Sequence, residues 1–186
     1  MNFKNELERL KNQSLPVKLH LGCGPNLYEG WINVDGDYCV GQAGIVIHNL
    51  TDPYPVDNNC IDEILNIHVI EHIMPDKVPA MLKEWHRILK PGGFVAIEWP
   101  DLLKICKFLV EDPSRIYSDN RKILKQGVAA LFGDIGKYQN VAMLHKWGYS
   151  ADSLSKLLKE AGFTRTIVEP NKHPKTAMCS RVVAYK

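Results

Sequence analysis

The feature that most constrains this chain is an apolar run that stops on a glycine turn, followed closely by a second run that stops on an acid. Val17-Lys18-Leu19-His20-Leu21 alternates apolar and polar residues and leads into Gly22-Cys23-Gly24-Pro25. Period-two alternation ending in Gly and Pro predicts a strand and a tight turn. Trp31-Ile32-Asn33-Val34-Asp35 predicts a second strand, whose acid stands eleven positions after Gly24. Glycines let a backbone approach a ligand closely. A carboxylate that closes the neighbouring strand can accept both hydroxyls of a ribose.

The rest of the chain supplies a sheet around that pair. Ile45-Val46-Ile47-His48 predicts a third strand, and Ile61 to Val69 a fourth. Pro75 and Asp76 suit the first turn of a helix. Val78, Met81, Leu82, Trp85, Ile88 and Leu89 then fall on one helical face. Pro91-Gly92-Gly93 ends that helix and opens strand five, Phe94 to Glu98. Leu102, Ile105, Cys106 and Leu109 form another helical stripe. A weaker helix is expected over about 114–131, and 132–149 reads as irregular. Ser150 caps a helix with Leu154, Leu157, Leu158 and Ala161 inside, stopped by Gly162. Strands at about 163–169 and 178–185 complete the pattern. Strands alternating with helices imply an α/β fold, a mainly parallel sheet with helices on both faces. Ligands of such sheets bind at the carboxyl ends of the strands.

Composition narrows the class. The 186 residues make roughly one domain, 45% hydrophobic and 24% charged. Lys plus Arg is 23 against 21 Asp plus Glu, a balance that does not suggest a dedicated nucleic-acid binder. Cys23, Cys39, Cys60, Cys106 and Cys179 are scattered, odd in number and never form C-x-x-C. That speaks against a zinc ribbon and a disulfide framework and fits a reducing compartment. The opening MNFKNELERLKNQS is amphipathic and charged, without the apolar core of a signal peptide. It reads as a short helix over about 2–13 with Phe3, Leu7 and Leu10 on one face. No stretch approaches the ~20 apolar residues of a membrane span. A cytoplasmic location is expected.

A dinucleotide site wants G-x-G-x-x-G with an acid about 20 residues on. Here Leu27 holds the third glycine position and the acid comes too soon, so NAD is disfavoured. His20-Leu21-Gly22-Cys23-Gly24, Val34-Asp35, the segment 57–64, His68-Val69-Ile70-Glu71-His72-Ile73 and Leu89-Lys90-Pro91-Gly92-Gly93 together resemble class I S-adenosylmethionine-dependent methyltransferases. The likeness is greatest to small methyltransferases of the "LGCG…GWxNVD" type, often associated with glycan or cell-surface polysaccharide biosynthesis. It runs from about residue 17 to 186 and takes in His145-Lys146-Trp147-Gly148-Tyr149.

The resemblance implies a Rossmann-like, seven-stranded sheet with an antiparallel last strand. It implies S-adenosylmethionine as cofactor and S-adenosylhomocysteine as product. Gly22, Cys23 and Gly24 would line the amino-acid end of the cofactor, and Asp35 would bind the ribose. His48-Asn49-Leu50 would meet the adenine, and His68 would lie near the transferable methyl. Many relatives carry Asp where Asn49 stands. Only about nine residues join strands one and two, too few for the usual crossover helix, though one helical turn around Asn26-Leu27-Tyr28 fits. The N-terminal helix is expected to cover the surface so exposed. Residues 1–16 are thus read as an extension and 17–186 as the methyltransferase domain.

His68-Val69-Ile70-Glu71-His72 has the form of the inverted zinc-protease motif. Zinc there needs both histidines on one helix, whereas this segment spans a strand end and a loop. Some methyltransferases of the ubiquinone pathway and of small RNAs carry E-x-x-E-H here and bind a divalent ion, but His68 replaces their first Glu. No metal ligand is assigned, and whether His68, Glu71, His72 and His145 bind a divalent ion is left open. A hydroxyl acceptor calls for a general base, and histidine titrates near operating pH. His145 and His72 are the candidates. Trp99, Phe132, Tyr138, Trp147 and Tyr149 form an aromatic acceptor side that suits sugars. Lys104, Lys107, Arg115, Arg121, Lys122 and Lys125 could attract a phosphate or form a solvated helix face. The expected function is methyl transfer to a small-molecule acceptor, a sugar or nucleotide-linked sugar hydroxyl. The alternatives are a catalytically inactive binding subunit of the same fold and an RNA methyltransferase. A homo-oligomer is left open.

Overall fold

The computed structural model describes residues 2–36, 41–117, 120–133, 141–172 and 177–186. Helix α1 (Phe3–Asn12) starts where the Asn2 side chain accepts from the Asn5 amide, and it buries Phe3, Leu7 and Leu10. Strands β1 (Lys18–Leu21), β2 (Ile32–Asp35), β3 (Ile45–Ile47) and β4 (Ile61–Ile67) follow. Helix α2 (Val78–Ile88) buries Val78, Met81, Leu82, Trp85 and Ile88, the stripe that its periodicity predicts. Strand β5 (Leu89–Pro100) leads directly to α3 (Leu102–Glu111), with α4 (Arg121–Gln126) and α5 (Val128–Phe132) beyond it. Helix α6 (Ala151–Glu160) is closed by a capping box between Ser150 and Ser153. Strands β6 (Arg165–Glu169) and β7 (Cys179–Tyr185) end the fold.

The seven strands stand in the order β3-β2-β1-β4-β5-β7-β6. All neighbours are parallel except β7, which runs antiparallel to both β5 and β6. The chain leaves β1 toward one edge and returns through β4 to the other. That reversal is the switch point, so the carboxyl ends of β1, β2 and β4 frame the ligand crevice. The main core joins α1, α2 and α6 to one face of the sheet through Leu10, Leu19, Ile64, Trp85, Leu154 and Val182. On the other face Leu65, Ala96 and Val183 pack with half-buried Tyr28, Trp31, Phe94 and Tyr185.

Four local expectations change. Residues 22–31 join β1 to β2 without a helical turn; Asn33 holds this connection instead, accepting from the Tyr28 amide and donating to the Tyr28 carbonyl. Strand β4 stops at Ile67 rather than Val69, because His68 turns left-handed at φ 55. Strand β5 begins at Leu89 rather than Phe94, with an irregularity opposite Ile61–Glu63. There a Cβ on Gly93 would lie 2.9 Å from the Asp62 carbonyl, so the glycine is needed for close approach. The weak helix expected over 114–131 is instead a 3-10 turn at Pro113–Tyr117 followed by α4 and α5.

Candidate active site

The glycine turn is pinned from β2. The amides of Gly22 and Cys23 both donate to the Val34 carbonyl, at 2.8 and 3.2 Å. Gly22 sits at φ 74, and a Cβ there would lie 2.2 Å from the Val69 side chain. No other residue satisfies both the left-handed backbone and that contact. Asp35, 4% exposed at the end of β2, takes the Gly24 amide on Oδ2 and the Gly36 amide on Oδ1, the latter at 2.6 Å. Cys23 is buried against Ile45.

Two further groups meet this corner. Asn66 donates to the Leu21 carbonyl at 3.1 Å, while its own carbonyl oxygen is buried without a hydrogen bond. Asn49, after β3, is exposed, and its Oδ1 accepts from the amide and hydroxyl of Thr51. Leu50 is buried in the main core. His48 and Tyr54 pack with Phe3 of α1.

Past β4 the histidines converge. His68 donates its amide to the Glu98 carbonyl at 2.8 Å, which holds the left-handed turn. Its Nδ1 faces Glu71 Oε1 at 3.5 Å and its Nε2 faces Cys179 Sγ at 3.7 Å. Burial works against its charge, but Cys179 and Glu71 outweigh it and raise its pKa to about 9. Glu71 is 2% exposed. Burial opposes its charge, yet His68, His72 and His145 together hold its pKa below the usual carboxylate value. The backbone carbonyl of Glu71 accepts from Lys146 and Trp147 at 2.7 and 3.3 Å. That bond brings His145 beside His72, ring centroids 4.8 Å apart and edge to face.

His72 Nδ1 lies 3.1 Å from the Leu144 carbonyl, and His145 Nδ1 lies 2.9 Å from the Ala130 carbonyl. A carbonyl only accepts, so in each ring Nδ1 is the donor, and in the neutral imidazole Nε2 then keeps the lone pair. His145 is held below its ordinary pKa by burial and by neighbouring His72, against the pull of Glu71. It therefore stays neutral and able to take a proton.

Of the aromatic set, Trp99 and Tyr149 are core: Trp99 Nε1 donates to the Tyr149 carbonyl at 2.9 Å. Phe132 and Trp147 are exposed, and Tyr138 lies outside the described residues. Of the basic run, Lys104 donates to the Cys179 carbonyl, while Arg115 packs over Phe108. The side chains of Arg121 and Lys125 lie outside the described set. The two site residues the sequence reading passed over are Asn66 and Cys179. No spacing signals Cys179, which is 111 positions from His68. A separate groove of about 510 Å³ lies between α1 and residues 54–57, away from the strand ends.

Residues 37–97 match the Methyltransferase domain family, about a third of the chain. Over 69 residues the chain is 30% identical to the human tRNA N(3)-cytidine methyltransferase METTL2B, covering 36% of this chain and 18% of that protein. The chain thus spans about a fifth of the length of the curated relatives it matches. Among solved structures it is similar to a SAM dependent methyltransferase from Archaeoglobus fulgidus, with TM-score 0.60 and 16% identity over 98% of this chain and 94% of that one. It is also similar to human N-acetylserotonin methyltransferase in complex with SAM, with TM-score 0.52 and 15% identity over 98% of this chain and 51% of that one. The match over residues 37–97 is to part of a methyltransferase domain, and the fold is shared with these solved methyltransferases.

Proposed function

We propose that this domain binds S-adenosylmethionine across the glycine turn and Asp35, and directs its methyl group to a hydroxyl of a sugar or nucleotide-linked sugar. The observation that carries the reading is Asp35, buried at the end of β2 beside the turn with both carboxylate oxygens already aligned by glycine amides. The donor set fits the cofactor: a diol acceptor at Asp35, close-approach backbone at Gly22–Gly24, and a buried unpartnered acceptor on Asn66. The bound cofactor supplies an electrophilic methyl on a positively charged sulfur, a leaving group that needs no acid.

Each residue then has a task. Asp35 accepts the ribose hydroxyls. Gly22, Cys23 and Gly24 line the amino-acid end. Asn49 and Leu50 flank the adenine, Leu50 by its apolar side chain. His68 stands at the end of β4 toward the transferable methyl. His145 Nε2 takes the proton of the acceptor hydroxyl, with His72 as the second candidate, since each ring uses Nδ1 toward a carbonyl and so has Nε2 for the substrate. Alignment of donor and acceptor alone supplies ~7–11 kcal/mol. Exposed Phe132 and Trp147 offer the faces on which a sugar's C–H surface rests.

The match to a tRNA-modifying enzyme supports RNA as a second acceptor class. Its mark would be binding that falls steeply with salt. The first test is thermal unfolding with S-adenosylmethionine and S-adenosylhomocysteine. Ligand at ~100 times its Kd adds ~2.7 kcal/mol, a rise of roughly 5–10 °C for a chain this size. The expected result is a rise in the wild type that disappears in Asp35→Ala. No rise in folded wild type overturns the reading. A rise with no S-adenosylhomocysteine released from any sugar or RNA acceptor moves the weight to a binding subunit without turnover.

A further inference from the structure

We propose that Glu71, His72 and His145 bind a divalent first-row transition-metal ion, a question the sequence leaves open. One oxygen of Glu71 and one nitrogen of each histidine lie within 4.8 Å of one another. An ion holds such donors at ~2.0–2.2 Å, which places them roughly 3–4 Å apart.

Two independent features mark the cluster as built for a cation. Glu71 is 2% exposed, and neither of its oxygens has a hydrogen bond. A buried carboxylate left in that condition is costly. The nearest imidazole nitrogens, His68 Nδ1 at 3.5 Å and His145 Nε2 at 3.9 Å, stand beyond the 2.7–2.9 Å of a charge-assisted bond. A cation between the three donors gives these unbonded oxygens a partner. The second feature is the pair of carbonyls behind the histidines. Leu144 and Ala130 each take an Nδ1 proton, which fixes the tautomer and leaves Nε2 as the ligating atom. Histidine ligands are oriented in this way by their outer partners. The backbone bonds from Lys146 and Trp147 to Glu71 clamp the two segments together.

The donor set also names the class of ion. Two neutral imidazoles and one carboxylate favour zinc, cobalt or manganese over magnesium and calcium, which prefer all-oxygen shells. Three protein ligands leave a position open. What that position does rests on the methyltransferase reading above. An acceptor hydroxyl bound there loses its proton to solvent more readily. Its oxygen forms the new C–O bond as the C–S bond breaks, and the sulfur keeps the bonding pair. Nε2 cannot ligate and accept a proton at once, so in the loaded protein the ion takes over the task of the imidazole base.

The test uses the full chain, stripped of metal and titrated with Co²⁺, read by visible absorption, with Zn²⁺ as competitor. One saturable equivalent is expected in the wild type, displaced by Zn²⁺. His145→Gln and Glu71→Gln should each weaken it at least ~100-fold, more than the 10–100-fold typical of outer-partner mutations. His145→Gln is the decisive variant because it leaves Glu71 in place, and circular dichroism checks that it folds. No saturable Co²⁺ spectrum in the wild type, or an unchanged one in folded His145→Gln, overturns the proposal. Asp35→Ala should keep the Co²⁺ spectrum while losing the response to S-adenosylmethionine. The two readings therefore fail separately.

Discussion

Glu98 and Arg181 meet at 2.7 Å with both side chains buried. Arg181 also reaches Glu169 at 3.3 Å, and Glu98 accepts the Lys172 amide at 2.9 Å. Removing one partner of a buried pair leaves the other charged and unsolvated, at a cost of about 3–5 kcal/mol. Arg181→Ala should lower the free energy of unfolding by that amount in a urea titration. Arg181→Met with Glu98→Gln should recover much of the loss, because no bare charge remains. This pair shows where a sequence stops being readable at the level of single residues. Asp35 and Gly22 announce themselves by spacing, since a turn and an acid lie eleven positions apart on one short connection. Glu98 and Arg181 are 83 positions apart, and His68 and Cys179 are 111 apart. Only the pairing of β5 with β7 brings them together, and no local pattern encodes it. Glu71 lies between these cases. Its place in H-x-x-E-H was visible, but its complete burial among three histidines depends on where residues 141–147 fold.

Secondary elements follow periodicity more faithfully. The apolar stripes of α1, α2 and α6 fall where their spacing puts them, because a helix buries whichever face is apolar. The misjudged boundaries share a cause: a backbone feature imposed by a distant partner. Strand β4 ends early because His68 turns left-handed, a turn its amide holds against the Glu98 carbonyl. Strand β5 starts early because Leu89 pairs with Ile61 across the Gly92-Gly93 irregularity. Helix α1 offers a direct test of its own. Leu10 is fully buried and Phe3 packs edge-on against His48 and Tyr54. Leu10→Ala should destabilise the whole fold by ~2–5 kcal/mol. An unchanged urea midpoint would mean that α1 contributes nothing to the core. Helix α2 is tied to the 54–58 loop as well: Arg87 donates to the Tyr54 and Val56 carbonyls and to Asn58.

Stability of the whole molecule should fall on the acid side. Arg87 holds the Glu84 carboxyl below its ordinary value of 4.5, and the Tyr54 amide adds to the effect against partial burial. A depressed carboxyl favours the fold once the unfolded form is ionised. That contribution is complete above about pH 4.5 and is lost as pH falls through the lower folded value. Thermal midpoints of wild type and Glu84→Gln should therefore separate at neutral pH and converge below pH 4.5. Parallel curves throughout would remove Glu84 from the acid response. At this scale the sheet was the most legible part, since strand–helix alternation leaves few topologies open. The connection from β1 to β2 has one more consequence. It is short, helix-free and fastened at both ends by strand pairing, with Val34 and Asn33 bonded into it. A segment with so few alternative shapes has little freedom to surrender when something settles against it. The cradle should behave as a mould rather than a clasp, and hydrogen exchange at the Gly22 and Cys23 amides should be nearly as slow with the pocket empty as with it filled.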